Sequence, residues 1–165
     1  VVRVICLDVG RGQLHWELRN DPRVTVMERT NVRHVRPEDL PFVPELVLAD
    51  LSFISLRLVL PVLREVMAVG SELIALIKPQ FEAGKGKVGK GGVVRDPGVH
   101  RQVLEEITGA AAACGFELVD LAPSPLRGAE GNLEYFAWWR RKDGAASSIG
   151  AAVDKALGEA WKQDS

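Results

Sequence analysis

The sequence predicts an α/β protein with a mostly parallel, doubly wound sheet and an antiparallel last strand. Short apolar runs alternate with helical segments along most of the 165 residues, which is the pattern of successive β–α–β units. The last two runs, 116–122 and 133–139, have only a turn-rich loop between them, which favours an antiparallel pair. We expect one domain over residues 1–144, followed by a peripheral helix over 145–165.

The first half of the chain contains three predicted strands, and each ends beside a polar residue. The elements, in order, are a strand over 3–7, a helical segment over 13–19, a strand over 24–27, one helical turn over 37–40 and a strand over 46–49. The last of these is apolar throughout and ends at Asp50. It therefore predicts a parallel strand that is covered on both faces.

Proline and glycine mark the elements of the second half. The pattern predicts a helix over 55–67, a buried strand over 73–77, a long loop over 80–95, a helix over 97–113 and the two final strands. Pro61 is the expected site of a kink in the first of these helices. The second helix has the strongest signals, with Asp96 as N-cap, Pro97 at the first position and Gly115 just past the end.

Composition places the chain among soluble, globular and cytoplasmic proteins. Apolar residues make up 47% and charged residues 26%, and no apolar run approaches the roughly 20 residues that span a bilayer. Cys6 and Cys114 lie in apolar surroundings, as reduced core residues do. The three histidines have no ligand spacing, so we expect no metal site. The net charge of −1 argues against a uniformly basic surface.

Four charged residues follow predicted strands: Asp8, Glu28, Asp50 and Lys78. Ligands of such sheets bind beyond the carboxyl ends of the strands, so we expect these side chains in one crevice. From its position Asp8 can accept hydrogen bonds from both hydroxyls of a ribose. An isolated Asp-x-Gly is a simple turn aspartate about twice as often, and from the residues alone both interpretations stay open.

Asp50, Lys78 and Glu134 form a second candidate group, because two strand-end charges and one acid on the last strand can converge. A lysine beside carboxylates normally keeps its proton, which suits it to orient a hydroxyl nucleophile or to stabilise developing charge. Action as a base would require desolvation. The alternative, an ordinary buried ion pair, carries slightly more than half the weight on the residues alone.

The segment 78–101 is locally basic. Its six cationic residues outnumber two acidic ones by four; they are Lys78, Lys85, Lys87, Lys90, Arg95 and Arg101, against Glu82 and Asp96. This charge would attract a phosphate backbone, and the interspersed glycines allow close approach, although a solvated flexible loop explains the pattern equally well. The segment is not a P-loop, because it lacks the Gly-Lys-Ser/Thr ending and no helix follows directly.

Six short segments form a specific set when they are taken together. They are 8–16 (DVGRGQLHW), 28–33 (ERTNVR), 50–56 (DLSFISL), 78–82 (KPQFE), 89–96 (GKGGVVRD) and 131–134 (GNLE). In this order they resemble the TlyA family of FtsJ-like ribosomal RNA methyltransferases over residues 3–141. The resemblance implies a Rossmann-like fold, S-adenosylmethionine as methyl donor, and methylation of ribose 2′-hydroxyls in ribosomal RNA.

The resemblance also assigns roles to individual positions. Asp50, Lys78 and Glu134 match the last three members of the Lys-Asp-Lys-Glu tetrad of that superfamily. The expected donor-binding residues are Asp8, which matches the acid that binds the ribose, its neighbour Val9, the adenine-side stretch Glu28, Arg29, Thr30 and Asn31, and again Asp50. The loop residues Lys85, Lys87, Lys90 and Arg95 are expected to hold RNA backbone.

The chain departs from the family pattern at its beginning. The first tetrad lysine, the first strand with its glycine-rich donor loop, and the S4-like RNA-binding domain of relatives have no match, so we expect an incomplete catalytic domain. The missing strand should lie between the Asp8 strand and the Asp50 strand. Two rival hypotheses remain: a catalytically silent RNA- or ribosome-binding module, and a membrane-active haemolysin, for which no strongly amphipathic basic helix is apparent.

Overall fold

A computed structural model describes residues 2–84, 86–143 and 149–162 of the chain. Six strands alternate with helices along it: β1 (Val4–Asp8), β2 (Val24–Glu28), β3 (Leu46–Ala49), β4 (Glu72–Ile77), β5 (Phe116–Pro123) and β6 (Tyr135–Arg141). The helices are α1 (Trp16–Arg19), α2 (Leu60–Val66), α3 (Pro79–Glu82), α4 (Pro97–Ala113) and α5 (Gly150–Lys162). The α/β prediction is confirmed.

The strands form two separate sheets. β1 and β2 make a parallel pair, and the other four strands have the order β3-β4-β6-β5, with β3 parallel to β4 and β6 antiparallel to both β4 and β5. The antiparallel last strand is therefore confirmed. In the described part of the chain no strand pairing joins β1 to β3.

The main core lies on the four-stranded sheet. Leu73 and Ile77 of β4, Tyr135 and Trp139 of β6 and Phe116 of β5 have no exposed surface. They pack in one apolar cluster with side chains of α2 and α4, and their removal from water supplies most of the stabilisation of this part. β1 and β2 differ, because none of their residues is fully buried.

Helix α4 begins and ends where its capping signals predict. The Asp96 carboxylate accepts a hydrogen bond from the amide of Gly98, Pro97 occupies the first turn, and Gly115 has a left-handed φ of 78° just after the end. Helix α5 corrects the prediction of a peripheral helix, since Val153, Ala156, Leu157 and Ala160 lie in the main core. The proposed division at residue 144 remains a prediction.

Two predicted helices are shorter than expected. The segment 55–67 contains a 3-10 turn at Leu56–Leu58 followed by α2, and Pro61 lies in the first turn of α2 instead of kinking a longer helix. Proline fits that position because its missing N–H would have no partner there. The segment 13–19 is helical only over α1.

Strand β3 is less covered than its apolar sequence predicts. Leu46 and Leu48 are 51% and 72% exposed, whereas Val47 and Ala49 pack against the core. The prediction that both faces are covered was therefore wrong in the described structure. An apolar run cannot by itself show whether one or two layers pack on a strand.

Candidate active site

Lys78 and Asp50 meet at the carboxyl ends of β4 and β3. The Nζ atom of Lys78 lies 2.6 Å from Asp50 Oδ1 and 3.2 Å from Ser52 Oγ. The two strands are parallel, with Ala49 level with Ala75, so the residues that follow them emerge at one edge of the sheet. The Lys78 side chain is only 12% exposed, while that of Asp50 is 72% exposed. The arrangement presents an oriented ammonium group at the surface of the site.

Glu134 reaches this region through a different partner. It precedes β6 instead of lying on it, it is buried, and its Oε1 atom accepts a 2.7 Å hydrogen bond from Gln80 Nε2. Within the described residues Glu134 forms no ion pair with Lys78, and the convergence of all three charges stays a prediction. Gln80 lies two residues after Lys78 and connects the carboxylate to the same segment.

Gly128 makes room for the Glu134 carboxylate. A β-carbon at this position would lie 2.1 Å from Glu134 Oε1 and 2.4 Å from its carboxyl carbon, which is far inside van der Waals contact. No pattern in the sequence marks this glycine among the other fifteen. Its role becomes clear only in the structure, where the Glu134 side chain lies against the backbone of Gly128.

Two aromatic rings stand beside the Lys78–Asp50 pair. Phe53 is 90% exposed and has a left-handed φ of 64°, which is uncommon for any residue other than glycine and unfavourable for a bulky one. Its ring lies 4.9 Å from that of Phe81, centroid to centroid. The two rings line a cleft of about 470 Å³ together with Ser55, Gln80 and Val88. An exposed phenylalanine in a strained backbone is typical of a binding position.

Asp8 and Glu28 lie side by side at the carboxyl ends of β1 and β2. Asp8 Oδ1 accepts a 2.6 Å hydrogen bond from the amide of Gly10, and Glu28 accepts from the amide of Gly12 and from Arg19. The hydrogen bond with Arg19 is the largest cause that lowers the pKa of Glu28. Both carboxylates thus hold the glycine turn, so the turn-residue interpretation of Asp8 is realised here.

The stretch after β2 is built around the same turn. The amide of Arg29 donates to the Gly10 carbonyl, and that of Thr30 donates to the Asp8 carbonyl. Arg29 has a left-handed φ of 54°. Asn31 caps a 3-10 turn by accepting from the amide of Arg33. Val9 is 68% exposed next to Asp8 and offers an apolar surface at the edge of this group.

The acidic pair of β1 and β2 remains apart from the Lys78–Asp50 pair in its hydrogen bonding. Among the described residues, no hydrogen bond or ion pair joins Asp8 or Glu28 to Asp50 or Lys78. The expectation of one crevice for all four side chains thus stays a prediction. Each pair by itself lies at the carboxyl end of its own sheet, as expected.

The basic loop, which contains Lys87, Lys90 and Arg95, is held at its C-terminal end by hydrogen bonds with Asn132. The amide of Val94 donates to Asn132 Oδ1 at 3.1 Å, and Asn132 Nδ2 donates to the Gly92 carbonyl at 3.0 Å. His100 is fully buried and contacts the Val94 carbonyl and the Tyr135 hydroxyl; burial lowers its pKa. This histidine is therefore a structural residue. The described residues contain no group of side chains that could hold a metal ion.

The cationic side chains of this loop differ in their surroundings. Lys87 is exposed and donates to Gln102 of α4, while Lys90 and Arg95 are exposed on either side of Gly91-Gly92. Lys85 lies outside the described residues. Glycines 84, 86, 91 and 92 all have left-handed φ angles, which only glycine adopts readily. The predicted RNA-binding set is thus accessible where it is described.

Sequence reasoning missed several of the residues that shape the site. Ser52, Phe53, Gln80, Glu82 and Asn132 all lie inside the short segments that carried the family resemblance, but no spacing rule indicated their contacts. The signal available in the sequence was the clustering of polar residues around Asp50 and Lys78. None of the helices in the described part of the chain combines the length and the apolar character needed to cross a bilayer.

Comparison with known proteins gives a consistent result. A family model described as FtsJ-like methyltransferase matches residues 1–141. A Mycobacterium tuberculosis protein named 16S/23S rRNA (cytidine-2′-O)-methyltransferase TlyA is 48% identical over 159 residues, which are 94% of this chain and 59% of that relative. The chain thus spans about three fifths of the length of this curated relative.

Solved structures agree with this comparison. A protein from Streptococcus thermophilus that carries a hemolysin name superposes with a TM-score of 0.95 at 38% identity, over 99% of this chain and 60% of its own. At 12% identity, the N-methyltransferase NodS from Bradyrhizobium japonicum has a TM-score of 0.58 over 86% of this chain and 74% of its own. The second likeness concerns the fold alone, and it confirms the predicted Rossmann-like methyltransferase fold.

Proposed function

The chain belongs to the FtsJ-like methyltransferase family, and from this premise we propose that it is the catalytic part of an enzyme that methylates ribose 2′-hydroxyls in ribosomal RNA with S-adenosylmethionine as donor. The observation that carries the proposal is the Lys78–Asp50 pair at the ends of β4 and β3, beside an aromatic cleft. The 48% identity with a ribosomal RNA 2′-O-methyltransferase supports the substrate class.

The β1–β2 end fits the adenosine part of the donor. Asp8 is exposed, and its second carboxylate oxygen, Oδ2, has no hydrogen-bond partner among the described residues, so it can accept from ribose hydroxyls. Val9 and the stretch Glu28–Asn31 would border the adenine. When bound, the donor supplies a methyl group activated by its positively charged sulfur, and this chemistry requires no metal.

Lys78 is the proposed catalytic group. As an ammonium ion oriented by Asp50 Oδ1 and Ser52 Oγ, it can donate a hydrogen bond to the attacking ribose hydroxyl and stabilise the negative charge that develops on that oxygen. With the donor bound, the 2′-oxygen would bond to the methyl carbon as the sulfur–methyl bond breaks in line with it, S-adenosylhomocysteine would leave, and the hydroxyl proton would pass to solvent at the exposed Asp50 carboxylate. Holding the two reactants at this geometry provides most of the rate gain in such transfers.

In this scheme Glu134 acts through Gln80 and does not contact the substrate. Its carboxylate holds Gln80, and Gln80 lies on the short helix that begins directly after Lys78. This makes Glu134 a positioning residue for the Lys78 segment. The Glu134 carboxylate is buried, and it occupies the space that a side chain at position 128 would fill.

RNA recognition is proposed for two neighbouring features. The Phe53 and Phe81 rings offer a stacking face for an unpaired base, and base–aromatic stacking is worth about 1–3 kcal/mol per base. The basic loop with Lys87, Lys90 and Arg95, together with Lys85, would contact phosphates. Single-stranded or flipped nucleotides fit this combination better than a regular helix, whose bases are stacked on each other.

The proposal is tested by titrating S-adenosylhomocysteine into two proteins and following the heat of binding. One is the chain as given, and the other is the chain extended at its N-terminus with the corresponding region of a longer relative. Binding by the extended protein, with methyl transfer to unmethylated ribosomal subunits, supports the proposal. The absence of binding by both proteins would contradict it and favour a silent RNA-binding module.

A further inference from the structure

Two segments that carry the proposed active site run alongside each other and touch at three levels. Residues 50–56 follow β3, and residues 78–82 follow β4. At the first level Lys78 binds Asp50 and Ser52, and at the second Phe81 packs on Phe53. The third level joins Glu82 to the end of the first segment. Glu82 is buried, whereas Lys78 and Phe81, which make the other two contacts from the second segment, are only partly buried.

Glu82 is an unusual residue for this position. It is 4% exposed, and among the described residues its carboxylate forms no ion pair with a lysine or arginine, although the nearby Arg57 side chain donates to the Glu82 backbone carbonyl. Instead, Oε1 accepts a 2.8 Å hydrogen bond from the amide of Leu56, and Oε2 accepts a 2.5 Å hydrogen bond from the hydroxyl of Ser55. Both donors belong to the first turn of the 3-10 helix that follows Phe53. Burial of a carboxylate costs free energy, and these two hydrogen bonds offset part of that cost.

Phe53 depends on these contacts more than its neighbours do. Its left-handed backbone is intrinsically unfavourable, and its ring is 90% exposed, so burial does not hold it in place. The chain on its C-terminal side is fixed at Ser55 and Leu56 by Glu82, only two residues away. On its N-terminal side Ser52 is fixed by Lys78. The turn is therefore held at both ends from the second segment.

We propose that Glu82 is a positioning residue, whose buried carboxylate fixes the turn at Phe53 and thereby aligns the RNA-binding ring with Lys78. This inference rests on the proposed function and adds a residue that has no contact with substrate. Glu82 holds the turn by accepting from Ser55 and Leu56, while Lys78 carries the chemistry. Loss of the carboxylate should misplace the turn without removing any group that touches the donor.

Glutamine is the conservative replacement. In Glu82→Gln the amide oxygen can accept from the Leu56 amide, and the amide nitrogen can donate to the Ser55 hydroxyl, so the turn should be retained. In Glu82→Ala both contacts are lost. Glu105→Ala is the matched control, because Glu105 is an exposed acid on α4 that pairs with Arg101, outside both segments and without a contact to Ser55 or Glu82 in the described residues.

The experiment measures amide hydrogen exchange and methyl transfer in the N-terminally extended protein. In Glu82→Ala the Leu56 amide should exchange about tenfold faster or more, while the Trp139 amide in the core is unchanged. The kcat/KM for unmethylated ribosomal subunits should fall about tenfold, with donor affinity unchanged within about twofold. Glu82→Gln and Glu105→Ala should both remain near the wild type in both readouts.

Three results would overturn the inference. They are unchanged exchange of Leu56 in Glu82→Ala, faster exchange of all amides together, and an equal loss of activity in the glutamine and alanine variants. If Glu82→Ala does not fold, Ser55→Ala removes one of the two contacts alone and is read out in the same way. If the wild type methylates no RNA, the proposed function fails, whereas the exchange of Leu56 still decides whether Glu82 holds the turn.

Discussion

The two sheets of this protein differ in how completely the polypeptide itself fixes their functional residues. In the four-stranded sheet, Lys78, Asp50 and Glu134 are held by neighbouring side chains over a continuous apolar core. In the β1–β2 pair no residue is fully buried, and the hydrogen bonds described for the Asp8 and Glu28 carboxylates go to their own glycine turn and to α1. In the proposed scheme the half that contains Lys78 is therefore preformed, whereas the half proposed for donor binding is held less firmly by the chain itself.

This difference suggests that the two sheets have different roles, one in catalysis and one in donor binding. Groups that stabilise a transition state must be held rigidly, since their benefit comes from not having to reorganise during the reaction. Groups that bind a donor can be ordered by the donor itself, at a cost in affinity. Substitutions in the four-stranded half should accordingly affect the rate, and substitutions in the β1–β2 half should affect donor affinity.

The largest effect is expected from Lys78→Ala. Removing the ammonium group that faces the attacking hydroxyl should lower kcat by about 10²–10⁴-fold. The fold should persist, because the Asp50 partner is 72% exposed and its carboxylate stays hydrated when the ammonium group is removed. Methyl transfer to ribosomal subunits checks the rate. Lys142→Ala, which removes a more exposed ion pair with Glu117, serves as the control and should leave kcat unchanged.

A smaller loss of rate is expected from Gly128→Ala. The new methyl group would overlap the Glu134 carboxylate, so Glu134 must move and release Gln80. We expect kcat to fall about 10-fold to 100-fold and the free energy of unfolding to fall by about 1–3 kcal/mol. Urea unfolding and kinetics measure the two effects. Normal kcat in this variant would show that the position of Glu134 is not important.

Asp8→Asn tests the other half of the comparison. The exposed asparagine can still cap the turn, but it loses the charge that favours hydrogen bonds from ribose hydroxyls. Donor affinity should fall about tenfold, whereas kcat at saturating donor changes little. Calorimetric titration and initial rates separate these quantities. A loss of kcat alone would place Asp8 with the catalytic group instead of the donor site.

The smallest effect is a pH dependence of stability that Glu82 introduces. Burial raises the pKa of Glu82 above its ordinary value of 4.5, so the folded state binds the proton more tightly than the unfolded chain does. The stability that this proton provides is complete below about pH 4.5 and is lost as the pH rises through the raised pKa. The Glu82→Gln variant does not titrate.

The unfolding free energy of Glu82→Gln relative to the wild type should therefore increase as the pH rises from about 4 towards neutrality. Urea unfolding at a series of pH values measures this difference. A difference that stays constant would show that the pKa of Glu82 is the same in the folded and unfolded states. A difference that decreases with pH would show that the hydrogen bonds from Ser55 and Leu56 outweigh burial.

The antiparallel last strand and the strongest helix were predictable because they depend on local patterns. The capping signals of α4 and the charged ends of the strands have a physical meaning that does not depend on the rest of the chain. The exposure of Leu48 and the packing of α5 into the core were not predictable, because both depend on which layers lie above and below. Long-range packing overrides a local apolar pattern.

The prediction of contacts in the candidate site was limited in the same way. Asp50 and Lys78 were recognised as neighbours because the ends of parallel strands meet at one edge. Gln80 as the partner of Glu134 and Glu82 as the acceptor for Ser55 depend on segments far apart in the chain, and Gly128 lies against Glu134 only because the loop between them folds back. Such contacts become visible only when the loops after different strands are placed together.

The most direct test of the account is to locate the methyl group that the protein transfers. The extended protein and its Lys78→Ala variant are incubated with radiolabelled S-adenosylmethionine and unmethylated ribosomal subunits, and the labelled RNA is digested to nucleosides. The account predicts label on ribose 2′-oxygens with the wild type and almost none with the variant. Label on bases, or equal labelling by both proteins, would contradict it.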